Sequence, residues 1–490
     1  MITQPRNPAA RTPAPGTGPA ATVRERRLQA LYLGAGLPRV KGESPRVAVV
    51  GAGLAGLTAA YLLQQGGCHT AVFEASGRIG GRVWTERTNR GAVLECGAEF
   101  VDTQHVDLLA LIRFLGLPMI DLQAPADAGL EIACHFGGQH YSSEEFERAF
   151  ARLAPQIRAD FAQCSPRPTR RRHTPADRRH DRRSLAEYLH GLDTEPWLRR
   201  MIEVAYVTTF GLDAAEQSSL NLLSVIGSAP DGALFGDSDE RYKLRDGSAQ
   251  VTDGLAARLP DLIHPGHRLV RLRRPGAAYR LTLERGAAGT VEVDADAVVL
   301  ALPFTLLRQV DLGQLFSVHK RRAIRELGYG TNSKLMLGMK TRVWREASFT
   351  GDVATDLPFQ TAWECSRQRT ADPAVFTFFL GGGAGREVGH GSADDQARRC
   401  AALADRVFPG FGAAWTGLVR RVDWTAEPFA LGAYTCYRPG QWTTIAGDEA
   451  TRDGNLYFAG EHCARASQGY MDGAVQTGRM AALAILRRLG

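Results

Sequence analysis

No uninterrupted apolar run in the sequence approaches the roughly 18 residues that a membrane-spanning helix requires, so stable membrane insertion is not expected. Cysteine is sparse and scattered, eight in 490 residues, with no C-x-x-C or metal-like spacing. That sets aside a disulfide scaffold and a Cys/His metal centre, and it fits thiols kept reduced in the cytoplasm. No Ser-His-Asp constellation stands out, and no repeat of 20–50 residues marks a solenoid. With 44% apolar and 23% charged residues, fibrous and disordered classes are excluded. The length suits two or three domains of roughly 150 residues each.

The net charge of +7 would invite a nucleic-acid partner if it were spread over a face. It is local instead. Residues 1–46 carry eight basic and two acidic side chains, and residues 167–183 carry eight Arg against Asp177 and Asp181, so the remainder is close to −5. No nucleic acid is expected. The opening MITQPRNPAARTPAPGTGPAA is rich in Pro, Ala and Thr, and residues 1–45 are expected to be disordered or loosely attached. Arg26 and Arg27 precede LQALYLGAGL in faint likeness to a twin-arginine export signal, but Gln29 interrupts an already short apolar part. The run SPRPTRRRHTPADRRHDRR, residues 165–183, has almost nothing to bury and is expected as a mobile surface insertion.

What is present begins with RVAVVGAGLAGLTAAYLLQQGG from Arg46. Val47 to Val50 suit a buried parallel strand, and Leu54 to Leu63 carry helical spacing. Between them Gly51, Gly53 and Gly56 serve a tight turn, close approach of a pyrophosphate, and helix–strand packing in that order. The phosphate then sits on a helix N-terminus. TAVFE gives a second strand ending at Glu74, an acid placed to accept hydrogen bonds from ribose hydroxyls. These residues indicate a dinucleotide and leave nicotinamide and flavin both open. Further strands are expected in HRLVRLRR, YRLTLER, TVEVDADAVVLALP, LMLGM and VFTFFL, and helices over 102–115, 184–226 and from near Gly469 to the end.

EASGRIGGR, residues 74–82, resembles the second glycine-and-arginine motif of FAD enzymes of the amine oxidase superfamily, which includes monoamine oxidases, polyamine oxidases and L-amino-acid oxidases. Gly80 and Gly81 would allow close backbone approach and Arg82 would offer a planar fork to a phosphate oxygen. NLYFAGEHCARASQGYMDGAVQTG, residues 455–478, is similar to the C-terminal flavin motif of the same superfamily. By that likeness Gly460 and Glu461 meet the ribityl or phosphate region, and Met471 opens a helix whose N-terminus faces the pyrimidine edge of the flavin, where negative charge gathers on reduction. GTNSKLMLG from Gly330 resembles the strand whose lysine is bridged through water to the flavin N5, which makes Lys334 the candidate. WTAEPFALGAYTCY, from Trp424 to Tyr437, resembles the segment that supplies Tyr434 as the first wall of an aromatic substrate cage, with Tyr470 as the second. ECGAEFVDTQ, residues 95–104 and including Gly97, resembles the loop beside the flavin. PGHRLVRL resembles the adenine-contacting strand and adds Leu269.

The resemblance covers residues 46–486, strongly at both ends and thinly from about 120 to 260. It implies an α/β fold, with a Rossmann-like FAD-binding domain (46–120, 240–310 and 440–490) and a second α+β substrate domain, a mixed sheet flanked by helices (121–239 and 311–439). Ala433 stands where monoamine oxidases carry the flavin-linked Cys, so FAD is expected without a covalent bond, and Cys436 looks too displaced to substitute. Phe100 stands where typical L-amino-acid oxidases place a carboxylate-clamping Arg, which disfavours α-amino acids. Glu99 reads as structural rather than as the seat of a second ammonium. The implied activity is oxidation of a C–N bond of a primary or secondary amine to an imine, with O2 reduced to H2O2 and no metal. The alternatives are an L-amino-acid oxidase or oxidative decarboxylase using another Arg, and a flavin-binding, desaturase-like protein without amine turnover. A homodimer is compatible with the sequence.

Overall fold

The computed structural model describes residues 21–123, 127, 129–227, 233–368 and 373–489; most of the Pro/Ala-rich opening lies outside them. Arg46–Val50 is the middle strand of a five-stranded parallel sheet, flanked by His69–Phe73 and then Ile263–His264 on one side, and by Ala297–Leu300 and then Leu456–Phe458 on the other. Its β-branched residues are buried on both faces, as a parallel sheet demands. Val47 and Val49 pack into one apolar cluster with the helices Leu54–Gln65 and Met471–Leu489. Ala48 and Val50 pack into another with the antiparallel sheet Arg268–Arg273, Tyr279–Glu284 and Thr290–Ala295.

TVEVDADAVVLALP, read as one strand moving from edge to core, is two. Thr290–Ala295 belongs to the antiparallel sheet and Ala297–Leu300 to the parallel one. Asp296 makes the joint: its carboxylate accepts the Arg46 backbone N–H at 2.8 Å and pairs with the Arg46 guanidinium, while its own N–H donates to the Arg46 carbonyl.

The second layer is a seven-stranded mixed sheet in the order Trp415–Asp423, Ser333–Met339, Ala374–Leu380, Thr361–Glu364, Phe349–Thr355, Glu131–Phe136, Gln139–Tyr141. Its one parallel pairing joins Phe349–Thr355 to Glu131–Phe136. Helices Ser143–Ala162, Leu185–His190, Pro196–Phe210 and Ser219–Ile226 build the cluster against it. Ser333–Met339 is buried at every position, which holds Lys334 rigidly between two neighbouring strands.

Two expectations of looseness are corrected. Residues 165–183 are anchored to the protein body through buried Asp177, His180 and Asp181 while most of their arginines stay exposed, and a helix Pro175–Arg182 starts at a reciprocal Thr174–Asp177 cap. Composition missed this because the anchors are its few acids. Asp181 is fully buried and accepts from Thr443 N and Oγ1 at 2.8 Å, Ser218 Oγ at 3.0 Å and Trp442 N at 3.2 Å, while Arg170 pairs with Asp448. Burial pushes the Asp181 carboxyl upward against those donors. Asp181→Ala strands four donors in a dry site and is expected to cost about 2–4 kcal/mol, read as a lowered thermal midpoint; an unchanged midpoint would return the segment to the surface. Residues 23–45 are likewise attached: helix Val23–Tyr32 puts Tyr32 in the core, stacked on Phe114 at 5.5 Å, and pairs buried Glu25 with Arg113.

Candidate active site

One cavity of about 1140 Å³ is lined both by the glycine turn of the parallel sheet and by the seven-stranded sheet. At the turn the three glycines divide the work as their spacing suggests. Gly51 lies at φ 102°, and a Cβ there would come within 2.7 Å of the Ala301 carbonyl. A Cβ on Gly56 would sit 1.9 Å from the Gly51 carbonyl, so only glycine lets the helix pack this closely. Gly53 instead faces open space, its nearest neighbour being the Gly80 carbonyl at 3.8 Å. The helix Leu54–Gln65 has no side-chain cap, and Gly53, Leu54 and Ala55 all line the cavity. An uncapped helix start on a cavity is a place for an anion.

Glu74 lines the same region, with one oxygen accepting the Ala52 N–H and the other the Ser76 N–H and hydroxyl, all at 2.8 Å. The carboxylate therefore braces the glycine turn from below. Gly80, at φ 98°, and Gly81, at φ 59°, fold back beside Gly53 through a bridge between Gly53 and Gly80. Arg82 donates to Glu461 at 2.8 Å and to the Ala433 carbonyl at 2.6 Å. Glu461 also takes the Thr435 hydroxyl at 3.2 Å and the Gly469 N–H at 2.9 Å. Arg82 and Glu461 thus tie together three segments far apart in sequence. Gly460 and Met471, the first residue of its helix, line the cavity with them, and so does Leu269 on the strand Arg268–Arg273.

At the other end stands Lys334. Its Nζ donates to the carbonyls of Glu95 at 3.0 Å and Gly97 at 2.9 Å and to the Glu99 carboxylate at 3.2 Å. Glu99 also accepts from Trp363 Nε1 at 3.1 Å. Tyr434 is carried by a short pairing of residues 329–330 with 433–435, in which Gly330 N–H donates to the Tyr434 carbonyl and Ala433 N–H to the Gly330 carbonyl, both at 2.8 Å. The Tyr434 hydroxyl donates to the Thr208 carbonyl at 3.0 Å. Tyr470 approaches Ser238 Oγ at 3.5 Å, and its ring lies 4.9 Å from that of His105. Burial pushes both phenols well above their ordinary range, so both stay neutral. Trp424 packs edge-on to Trp84 at 6.3 Å and closes a side of the cavity.

Every candidate residue therefore lines one cavity, except Gly56, which packs beneath it. Three groups on its wall were not read from the sequence. Asp102 is buried, with Oδ1 accepting the Glu240 N–H at 2.9 Å and Oδ2 lying 3.4 Å from His105 Nε2. Glu240 is held at φ 41°, and burial raises its carboxyl to about 8. Arg167 reaches the cavity from the Arg-rich segment. Phe100 stacks edge-on to Trp363 at 5.4 Å. Cys436 is absent from the cavity lining and receives an N–H from Asn221 at 3.5 Å. Among the described residues no group of three His, Cys, Asp or Glu could hold a metal ion, and no helix is long and apolar enough to cross a membrane.

A glycine cradle with open space above it, an uncapped helix start and an acid at the end of the second strand fit a dinucleotide cofactor. The chain is 24% identical over 455 residues to an L-amino acid dehydrogenase of Synechocystis sp., covering 89% of this chain and 94% of that one. It is 24% identical over 470 residues to amine oxidase [flavin-containing] B of Homo sapiens, covering 91% and 86%. A solved structure of putrescine oxidase bound to putrescine shares the fold at a TM-score of 0.80, with 23% identity over 91% of this chain and all of that one. The family model described as flavin containing amine oxidoreductase matches residues 54–486. The fold, the shared cavity and this match agree, and the chain belongs to the flavin-containing amine oxidoreductase family.

Proposed function

We propose that the protein is an FAD-dependent amine oxidase that converts a primary or secondary amine to an imine, which water hydrolyses to a carbonyl compound, with O2 reduced to H2O2. The observation that carries this reading is one cavity bounded at one part by the glycine turn and at another by Tyr434, Tyr470 and Lys334. FAD, when bound, supplies the two-electron chemistry that no side chain here offers. Gly53, Glu74, Gly80, Gly81, Arg82 and Glu461 would hold it. Ala433 provides no thiol and Cys436 is turned toward Asn221, so the hold is non-covalent.

The chain's own residues then bind and orient. Neutral phenols at Tyr434 and Tyr470 accept an uncharged amine without competing for its proton, and they exclude water around the reacting carbon. Lys334 supplies a fixed positive charge where oxygen becomes negative.

A second reading, an amino-acid substrate, is favoured by Arg167 on the cavity wall and by the L-amino acid dehydrogenase relative. A panel of amines and amino acids, scored both for peroxide and for anaerobic bleaching of the flavin, separates the two. Turnover of amines with peroxide supports the oxidase. Bleaching by amino acids alone replaces amines as the substrate class, bleaching without peroxide means a dehydrogenase, and no bleaching leaves a non-turnover flavoprotein.

A further inference from the structure

Lys243 is an ammonium in the middle of a strand, 1% exposed. Tyr242–Leu244 runs between Phe100–Val101 and Met119–Asp121, with Lys243 paired to Phe100 on one side and Ile120 on the other. Its Nζ donates to the Cys365 carbonyl and lies 3.7 Å from Glu99 Oε1. The other oxygen of Glu99 receives Lys334 at 3.2 Å. Two buried lysines thus flank one buried carboxylate in the order Lys243, Glu99, Lys334, and the Trp363 N–H donates to the same oxygen as Lys334.

Packing does not require this arrangement. An apolar side chain fills a buried strand position at less cost than an ammonium, and ion pairs in dry sites are weak stabilisers. The charge balance is where the second lysine matters. Lys334 and Glu99 alone cancel, while the Glu95 carboxyl, raised by burial and by the charge of Glu99, has its oxygens taken up by Thr85 Oγ1 at 2.7 Å and Ser248 N at 2.8 Å. Lys243 adds a second cation behind the Lys334–Glu99 pair, both members of which line the cavity.

We propose that Lys243 is a positioning residue for oxygen reduction: through Glu99 it holds Lys334 in place and offsets the carboxylate's charge beside it. The inference rests on the oxidase reading. In the step concerned O2 takes two electrons and two protons and leaves as H2O2 while the reduced flavin returns to its oxidised form. A positive charge at that end favours the first electron's arrival on oxygen, and reoxidation measured apart from substrate isolates that step.

The experiment uses holoenzyme reduced anaerobically with dithionite, so no knowledge of the substrate is needed, then mixed with oxygenated buffer in a stopped-flow instrument. Lys243→Met is expected to slow recovery of the oxidised-flavin band about tenfold, with FAD content unchanged. Lys243→Arg should restore most of the rate, and in the double variant with Lys334→Met the two slowings should not simply multiply, because both lysines act on one carboxylate. If the Met variant does not accumulate as holoenzyme, Lys243→Gln keeps an N–H for the Cys365 carbonyl and should show the same slowing. A fast wild type with equally fast charge-removed variants overturns the role of Lys243 alone. A wild type that reoxidises no faster than free flavin overturns the oxidase reading and this inference with it.

Discussion

Lys334→Met is expected to leave FAD in place and to slow reoxidation by O2 about a hundredfold, the size of effect that follows loss of one preorganised charge-stabilising donor. Methionine is close to lysine in length, and position 334 is 4% exposed in a strand paired on both sides, so the backbone has no reason to move. What disappears is a cation whose three N–H groups are committed to Glu95, Gly97 and Glu99. Such a charge costs nothing to reorganise when negative charge develops beside it. Rapid-mixing measurement of the reoxidation half-reaction is the check, because steady-state turnover limited by substrate would hide the change. Unaltered oxygen kinetics would remove Lys334 from the mechanism.

Gly53→Val is expected to yield a folded but colourless protein. A Cβ at this position meets nothing closer than 3.8 Å, so the chain itself accommodates a side chain. The branches of valine would occupy the space that a pyrophosphate needs against the helix start. Gly53→Ala, which adds only the tolerated atom, should retain part of the flavin. Neighbouring Gly56 behaves differently: there even one carbon would lie 1.9 Å from the Gly51 carbonyl, and the turn itself would be lost. Flavin absorbance per protein after purification, alongside circular dichroism, separates these cases; full yellow colour in Gly53→Val would mean that the cofactor lies elsewhere.

Much of the site was legible because glycine motifs and aromatic walls carry their chemistry in local order. Gly51 and Gly56 sit where a Cβ would meet the Ala301 and Gly51 carbonyls, and Gly53 faces open space, which is compatible with the roles their spacing suggests. Residues that act through distant partners left no such trace. Lys243 reads as an ordinary lysine in RYKLRDG, and only the pairing of its strand with Phe100 brings it to Glu99. Asp102 and Glu240 were opaque for the same reason, since their hydrogen bond spans 138 positions. The Arg-rich run misled in the opposite direction: solvated arginines dominate its composition while two acids decide its place. Asp177 caps a helix, and Asp181 anchors the segment inside.

The parallel sheet draws its strands from residues 46–50, 69–73, 263–264, 297–300 and 456–458, and this sets a timetable for synthesis. As the polypeptide leaves the ribosome, the outer edge of Ala297–Leu300 waits unpaired until more than 150 further residues have been translated, and Leu54–Gln65 waits for more than 400 before Met471–Leu489 can cover it. A nascent chain of this order leaves apolar surface uncovered for many seconds at ordinary elongation rates, and the sheet and its covering helix are completed only when residues 456–489 arrive.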